Sequence, residues 1–178
     1  IGPRREKGGR NIFNLLGPLT NPAAAPNHVI GVYSAQWVEP LAQVFARLGA
    51  EHVLVVHAED GLDEISIGAP TRVAELKDGR VSTYEIRPEQ FGVAGGRLAD
   101  LSVATPAESL KRIEGVLANE AGPARDIVVL NAGAAIYAAG RTPDIQTGVD
   151  AARAAIASGA AREKLGALVA LSRKLAAQ

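Results

Sequence analysis

The sequence predicts an α/β protein: a mixed, mainly parallel sheet flanked by helices, in a single domain over residues 1–178. Three observations carry this prediction. Two short β-branched runs, "HVIGVY" at 28–33 and "HVLVVH" at 52–57, lack a helical period and read as buried strands. Between them Trp37, Leu41, Val44, Phe45 and Leu48 recur at helical spacing. From Thr105 onward the pattern is helical to the end.

Taken in order, strand, helix and strand with short joints form a βαβ unit, which implies a parallel pair and a right-handed crossover. Ser34 offers an N-cap to the first helix and Gly49 a stop. Pro40 lacks an N–H, so the regular helix is expected to start late enough to keep it in the first turn. In "RVAELKDGRVSTYEI" two alternating arms flank Asp78-Gly79, a pair suited to φ > 0, so an antiparallel hairpin joins the sheet. "TPAE" sets Thr105 at N-cap, Pro106 at N1 and Glu108 at N3 of a helix, with Leu110, Ile113, Val116 and Leu117 as its buried stripe. "TGVD" at 147–150 is expected to cap another helix ending near Gly159. The last segment carries Leu165, Leu168, Val169, Leu171 and Leu175 on a broad apolar face and closes on Arg173 and Lys174, as a helix dipole prefers.

Composition narrows the function classes. An apolar content of 47% against 21% charged residues is that of a globular chain. Nineteen basic residues balance nineteen acidic ones, so no global field favours nucleic acid or an anionic membrane. The absence of cysteine excludes disulfides, thiolate metal sites and a cysteine nucleophile, and suits a cytoplasmic protein. The longest apolar run, "IVVLNAGAAIYAAG" from Ile127, is shorter than the roughly 18 residues of a membrane span and is interrupted by Asn131. The chain starts on Ile1 rather than Met, so it is expected to be part of a longer polypeptide.

The sharpest chemical signal is "HAEDGLDEIS" at 57–66. It follows the second strand directly, and open α/β sheets bind ligands beyond the carboxyl ends of their strands. Glu59, Asp60, Asp63 and Glu64 crowd four acids into six residues, with Gly61 to turn the chain. Such repulsion is relieved by a hard divalent cation, and Mg²⁺ takes one or two carboxylates together with waters and substrate phosphates. The plain alternative is a solvated acidic turn. Arg4, Arg5, Lys7 and Arg10 form a basic run in which an arginine fork could hold a carboxylate, or which is simply a solvated face. His28, His52 and His57 show no metal-ligand spacing, and neither "GGR" at 95–97 nor "NAGAA" at 131–135 matches a phosphate-binding fingerprint.

"RREKGGRNIFNLLGPLTNP" at 4–22 with "DGLDE" at 60–64 closely resembles the C-terminal part of the anthranilate phosphoribosyltransferase family. The likeness continues through "VEPLA", "LGAEHVLVVH", "PEQFG" and "LNAGAAIYAAG". It implies a nucleoside phosphorylase/phosphoribosyltransferase-like C-terminal domain of a two-domain enzyme. The implied activity joins the amine of anthranilate to C1 of 5-phosphoribosyl 1-diphosphate, releasing pyrophosphate, in tryptophan biosynthesis. The resemblance assigns Asp63 and Glu64 to Mg²⁺, with Asp60 less firmly matched, Arg4 to the anthranilate carboxylate, and Gly17 and Pro18 to the path of the aromatic acid. It also implies a homodimer, with contacts in a helical domain that this chain lacks.

The family's GTGGD and KHGN segments are absent, so the chain alone is expected to be inactive. Lys7 and Asn11 stand where the family usually has leucine and threonine, without evident chemical consequence. A pyrimidine nucleoside phosphorylase shares the architecture but not "NLLGPLTNP". A nucleic-acid-binding relative of the same fold would need a basic stripe, which the balanced charge does not supply.

Overall fold

A computed structural model of the chain describes residues 13–93 and 95–177. They group into two compact units, one of residues 13–64 and 70–86, the other of residues 65–69, 87–93 and 95–177.

The first unit holds a four-stranded sheet in the order β1 (Asn27–Gly31), β2 (His52–Ala58), β3 (Thr71–Lys77), β4 (Arg80–Ile86). β1 and β2 are parallel, joined by a crossover through a 3₁₀ turn (Ala35–Trp37) and a helix (Val38–Arg47), as the βαβ pattern predicts. Asp78 and Gly79 adopt φ of 51° and 72°, the left-handed pair that a tight hairpin needs, and β4 returns antiparallel to β3. The sheet is therefore mixed. It is not mainly parallel, however: β3 also runs antiparallel to β2, because the loop after β2 sends the chain straight back along it rather than through a second crossover helix.

Ahead of the sheet, "FNLLGPL" forms a short helix, α1 (Phe13–Leu19), which the sequence pattern does not predict. Leu15 and Leu19, one turn apart, pack against the unit's core. Pro18 removes a backbone donor, and the helix stops one residue later. There the Thr20 hydroxyl donates to the carbonyls of Leu16 (3.1 Å) and Gly17 (3.2 Å), and the Thr20 N–H also donates to the Gly17 carbonyl (3.3 Å), so these end carbonyls of the helix have partners.

The crossover helix, α2 (Val38–Arg47), starts after Trp37 and keeps Pro40 in its first turn as expected. Ser34 makes no side-chain cap bond, because the 3₁₀ turn intervenes. The buried face of α2 is Val38, Leu41, Ala42 and Phe45, at i, i+3, i+4 and i+7. Val44 and Leu48, expected on that face, are exposed. The buried residues pack on one sheet face, with Val53 and Val55 of β2 and Ala74 and Leu76 of β3. Each of the larger side chains contributes about 1.5–3 kcal/mol by leaving water. On the opposite face, where Leu54 stands across from Glu75, lies a polar network. His52 Nε2–H donates to Glu75 Oε1 (2.8 Å), and the Tyr84 hydroxyl donates to Glu75 Oε2 (2.9 Å). His52 and Glu75 are 8% and 9% exposed.

The second unit is helical: α3 (Pro106–Leu117), α4 (Pro123–Ala138), α5 (Ile145–Ala157) and α6 (Ala160–Ala176). Thr105 caps α3 as predicted, its side chain accepting from the Glu108 N–H at 3.2 Å, while Glu108 reaches back to the Ala104 N–H at 2.8 Å. The expected stripe is only partly buried: Val116 is covered, while Leu110 and Ile113 stand about half exposed (53% and 47%). α5 is capped by Asp144, not by "TGVD", which lies inside it; Asp144 Oδ1 accepts from both the N–H (2.7 Å) and the hydroxyl (2.8 Å) of Thr147. α4 and α5 meet through glycines. A Cβ on Gly148 would lie 2.2 Å from the Gly133 carbonyl oxygen, and one on Gly133 would lie 2.6 Å from the Val149 nitrogen. The apolar face of α6 does form, but Leu168, Leu171 and Leu175 are exposed. No helix among the described residues is long and apolar enough to cross a membrane.

Candidate metal and substrate site

β1 and β2 run parallel, so both end at the same sheet edge, and their ends are tied together. The Val32 N–H donates to the Val56 carbonyl (3.0 Å), and His57 Nδ1–H donates to the Val32 carbonyl (2.7 Å). That bond places the His57 proton on Nδ1. The other histidines are also engaged in bonds of the fold: His28 Nε2–H donates to the Ala25 carbonyl (2.7 Å), and His52 belongs to the network above.

The acidic turn leaves from the end of β2. Its base is closed by the Ala58 N–H on the Leu62 carbonyl (3.0 Å) and the Glu59 N–H on the Pro70 carbonyl (2.9 Å). Gly61, at φ 90°, makes the reversal that a side chain would resist. The four acids then part company. Asp60 is exposed and bonds locally, its Oδ1 accepting from the Leu62 N–H at 3.3 Å, a turn bond that occupies one of its oxygens. Glu59 lines an open cavity of about 690 Å³ with His57, Arg72, Tyr84 and Glu85. Asp63 and Glu64 are exposed, and no ion pair or hydrogen bond engages either carboxylate among the described residues.

Two adjacent, open carboxylates suit a hard cation that keeps most of its shell for water and phosphate oxygens. No group of three or more His, Asp or Glu side chains able to hold a metal gathers among the described residues, so a cage built entirely of protein is not what this turn offers. The donor set thus fits Mg²⁺ bound with a phosphorylated substrate, and does not fit a resident structural ion.

Two backbone features of this turn were not anticipated. Gly31, at the end of β1, lies directly against the Asp63 carbonyl. The only hint was a glycine interrupting a β-branched run, a pattern that often marks close backbone approach. Ile65, the residue after Glu64, belongs to the second unit, where the Asn131 side chain grips it twice. Asn131 Oδ1 accepts from the Ile65 N–H, and Nδ2 donates to the Ile65 carbonyl, both at 2.9 Å. Nδ2 also donates to the Ile127 carbonyl one turn back (3.0 Å). The sequence signal was Asn131 interrupting the apolar run that starts at Ile127, since a buried amide demands partners.

Gly17 and Pro18 lie on α1. Gly17 is exposed, and an added Cβ there would meet nothing within 4 Å. Pro18 lines a cavity of about 230 Å³ with Leu19, Asn21, Pro26, His28 and Phe45. Arg4, matched to the anthranilate carboxylate, lies outside the described residues.

Comparison with known proteins gives a consistent result. A family model described as "Glycosyl transferase family, a/b domain" matches residues 1–162. The chain is 63% identical over 177 residues to an anthranilate phosphoribosyltransferase of Methylococcus capsulatus, covering 99% of this chain and 52% of that protein. The crystal structure of anthranilate phosphoribosyltransferase from Thermus thermophilus superposes with a TM-score of 0.87 at 44% identity, over 96% of this chain and 50% of that one. The Saccharomyces cerevisiae enzyme, solved in complex with PRPP and Mg, gives a TM-score of 0.80 at 27% identity, over 92% and 47%. The chain thus spans about half the length of the relatives it matches. On these grounds it belongs to the glycosyl transferase family, as the α/β domain of that family.

Proposed function

We propose that this chain is the C-terminal domain of a two-domain anthranilate phosphoribosyltransferase, a cytoplasmic homodimer in its full-length form. The observation that carries the reading is the exposed Asp63–Glu64 pair just past the end of β2, in a chain so close in sequence to relatives of that name.

The reaction separates charge. Breaking the C1–O bond leaves positive charge on the ribosyl ring and negative charge on the departing pyrophosphate. Bound Mg²⁺ would supply counter-charge to the phosphate oxygens of that leaving group. The role of this chain is to hold the ion: Asp63 and Glu64 each offer an oxygen donor, and their mutual repulsion makes a cation the favoured occupant. Asp60, already bonded to the Leu62 N–H, is the weaker candidate. Arg4 would grip the anthranilate carboxylate through two parallel bonds, so that the neutral amine faces C1. Gly17 and Pro18 would line the path of the aromatic ring, the glycine by leaving space and the proline by stiffening the wall.

The test uses full-length enzyme. Product should form from anthranilate and 5-phosphoribosyl 1-diphosphate, should stop on chelation and return with Mg²⁺. Asp63→Ala with Glu64→Ala should reduce kcat/KM by at least about a hundredfold, about 2.7 kcal/mol of transition-state stabilisation. Turnover and metal dependence left unchanged by that double substitution would remove the metal assignment. Phosphorolysis of a pyrimidine nucleoside in the same preparation would redirect the substrate assignment. Residues 1–178 alone should form no product.

A further inference from the structure

The acidic turn reaches its place through a contact that leaves no room for a side chain. Gly31 ends β1, opposite Val56 of parallel β2. A Cβ on Gly31 would lie 1.5 Å from the carbonyl oxygen of Asp63, 2.5 Å from its carbonyl carbon and 3.2 Å from its Cα. All three are backbone atoms, so no rotamer change relieves the clash. The Asp63 backbone would have to retreat by about 1.5 Å or more to restore an ordinary separation. Gly31 is not in the left-handed region, so the requirement is for space and not for an unusual φ.

The closing bonds of the turn, at Ala58, Glu59 and Gly61, all lie on its β2 side or at its base. The carboxylates of Asp63 and Glu64 are exposed and have no described bonds to hold them. Where they stand is therefore set by the backbone that carries them, and β1 touches that backbone at Asp63. We propose that Gly31 is a positioning residue for the cation-binding pair: its bare Cα seats the Asp63 backbone against β1 and so fixes where the two carboxylates present their oxygens. The inference rests on the metal reading of Asp63 and Glu64 given above. A displacement of the predicted size exceeds the tolerance of a Mg²⁺ shell, whose metal–oxygen distances are narrow.

The experiment compares full-length parent, Gly31→Ala, and the pair-neutralised Asp63→Asn/Glu64→Gln. Mn²⁺ titrated by water-proton relaxation in the presence of saturating pyrophosphate, which completes the ion's shell, reports affinity without turnover. Steady-state kinetics then give the half-saturating Mg²⁺ and the KM for anthranilate, and thermal unfolding reports integrity. Gly31→Ala is expected to keep a cooperative transition, weaken Mn²⁺ binding at least tenfold and raise the Mg²⁺ requirement similarly, with the anthranilate KM changed less than twofold. Parent-like Mn²⁺ affinity in Gly31→Ala, with binding lost in the neutralised pair, overturns the role of Gly31 and leaves the metal reading standing. Equal Mn²⁺ binding by parent and neutralised pair overturns the metal reading, and this inference with it. Loss of cooperative unfolding in Gly31→Ala also overturns the inference, since the glycine then serves the fold as a whole. Gly31→Ser, which adds the same Cβ with a polar tip, should reproduce the alanine result; parent-like binding in it overturns the steric account.

Discussion

In the first unit Gly31 brings a strand against the carbonyl of Asp63; in the second, Gly133 and Gly148 bring two helices against each other. Missing Cβ atoms allow both approaches, but the surroundings differ. The helix crossing is embedded in buried Val129, Leu130, Ala134, Val149 and Ala152. Its glycines let a large apolar surface close, and what they govern is stability. The strand contact ends in exposed carboxylates that bury nothing, and what it governs is where charge is presented. The same absence of a side chain can thus serve packing or placement, and its neighbours decide which.

Four measurements sharpen that contrast. The largest effect is expected at the helix crossing. Gly148→Val drives a branched side chain into the Gly133 carbonyl and should cost about 3 kcal/mol or more, read as a lower denaturation midpoint. A loss below about 1 kcal/mol would show that the two helices can separate without penalty. Next, Glu75→Ala strips the His52 and Tyr84 bonds from the buried sheet face and should cost about 2 kcal/mol, with little change in the half-saturating Mg²⁺ of the full-length enzyme.

A smaller effect is expected at the α5 cap. Bonds from the Thr147 N–H, and then from its hydroxyl, hold the Asp144 carboxyl below its ordinary value. A depressed folded-state pKa contributes stability that is present above the unfolded value and lost as pH falls through the folded one. The stability gap between parent and Asp144→Ala should therefore be constant near neutrality and shrink below about pH 4, followed by urea unfolding across pH. The smallest structural effect belongs to Gly17→Ala. With nothing near an added Cβ, helix propensity should raise stability by about 0.5 kcal/mol. A rise in the anthranilate KM alongside that gain would tie Gly17 to the substrate path, whereas an unchanged KM would remove it.

Much of the fold was legible because its signals are local. The βαβ unit, the Asp78–Gly79 hairpin and the Thr105 cap each depend on residues a few positions apart. α1 was not legible, since Gly17, Pro18 and Pro22 speak against a helix and only tertiary packing of Leu15 and Leu19 supports one. The α5 cap was misplaced because Thr147 is a cap-forming residue that here serves as donor to Asp144, three positions earlier. The excess of antiparallel pairing was hidden because a strand's residues do not declare which neighbour it will choose. For the site, the acidic pair was visible as four acids in one short turn. The long-range contacts of the neighbouring backbone were not: Asn131 grips Ile65 across 66 residues, and Gly31 meets Asp63 from a different strand.

The network of His52, Glu75 and Tyr84 also limits how the sheet can be assembled. Leu54 stands opposite Glu75, and a slip of β3 by one position would turn the carboxylate toward the side where Val53 and Val55 meet α2. There it would be stranded among aliphatic groups, far from both donors, so a misaligned hairpin incurs an electrostatic penalty as well as a packing one. A buried acid that contributes modestly to the finished sheet thereby acts as a proofreader of its alignment.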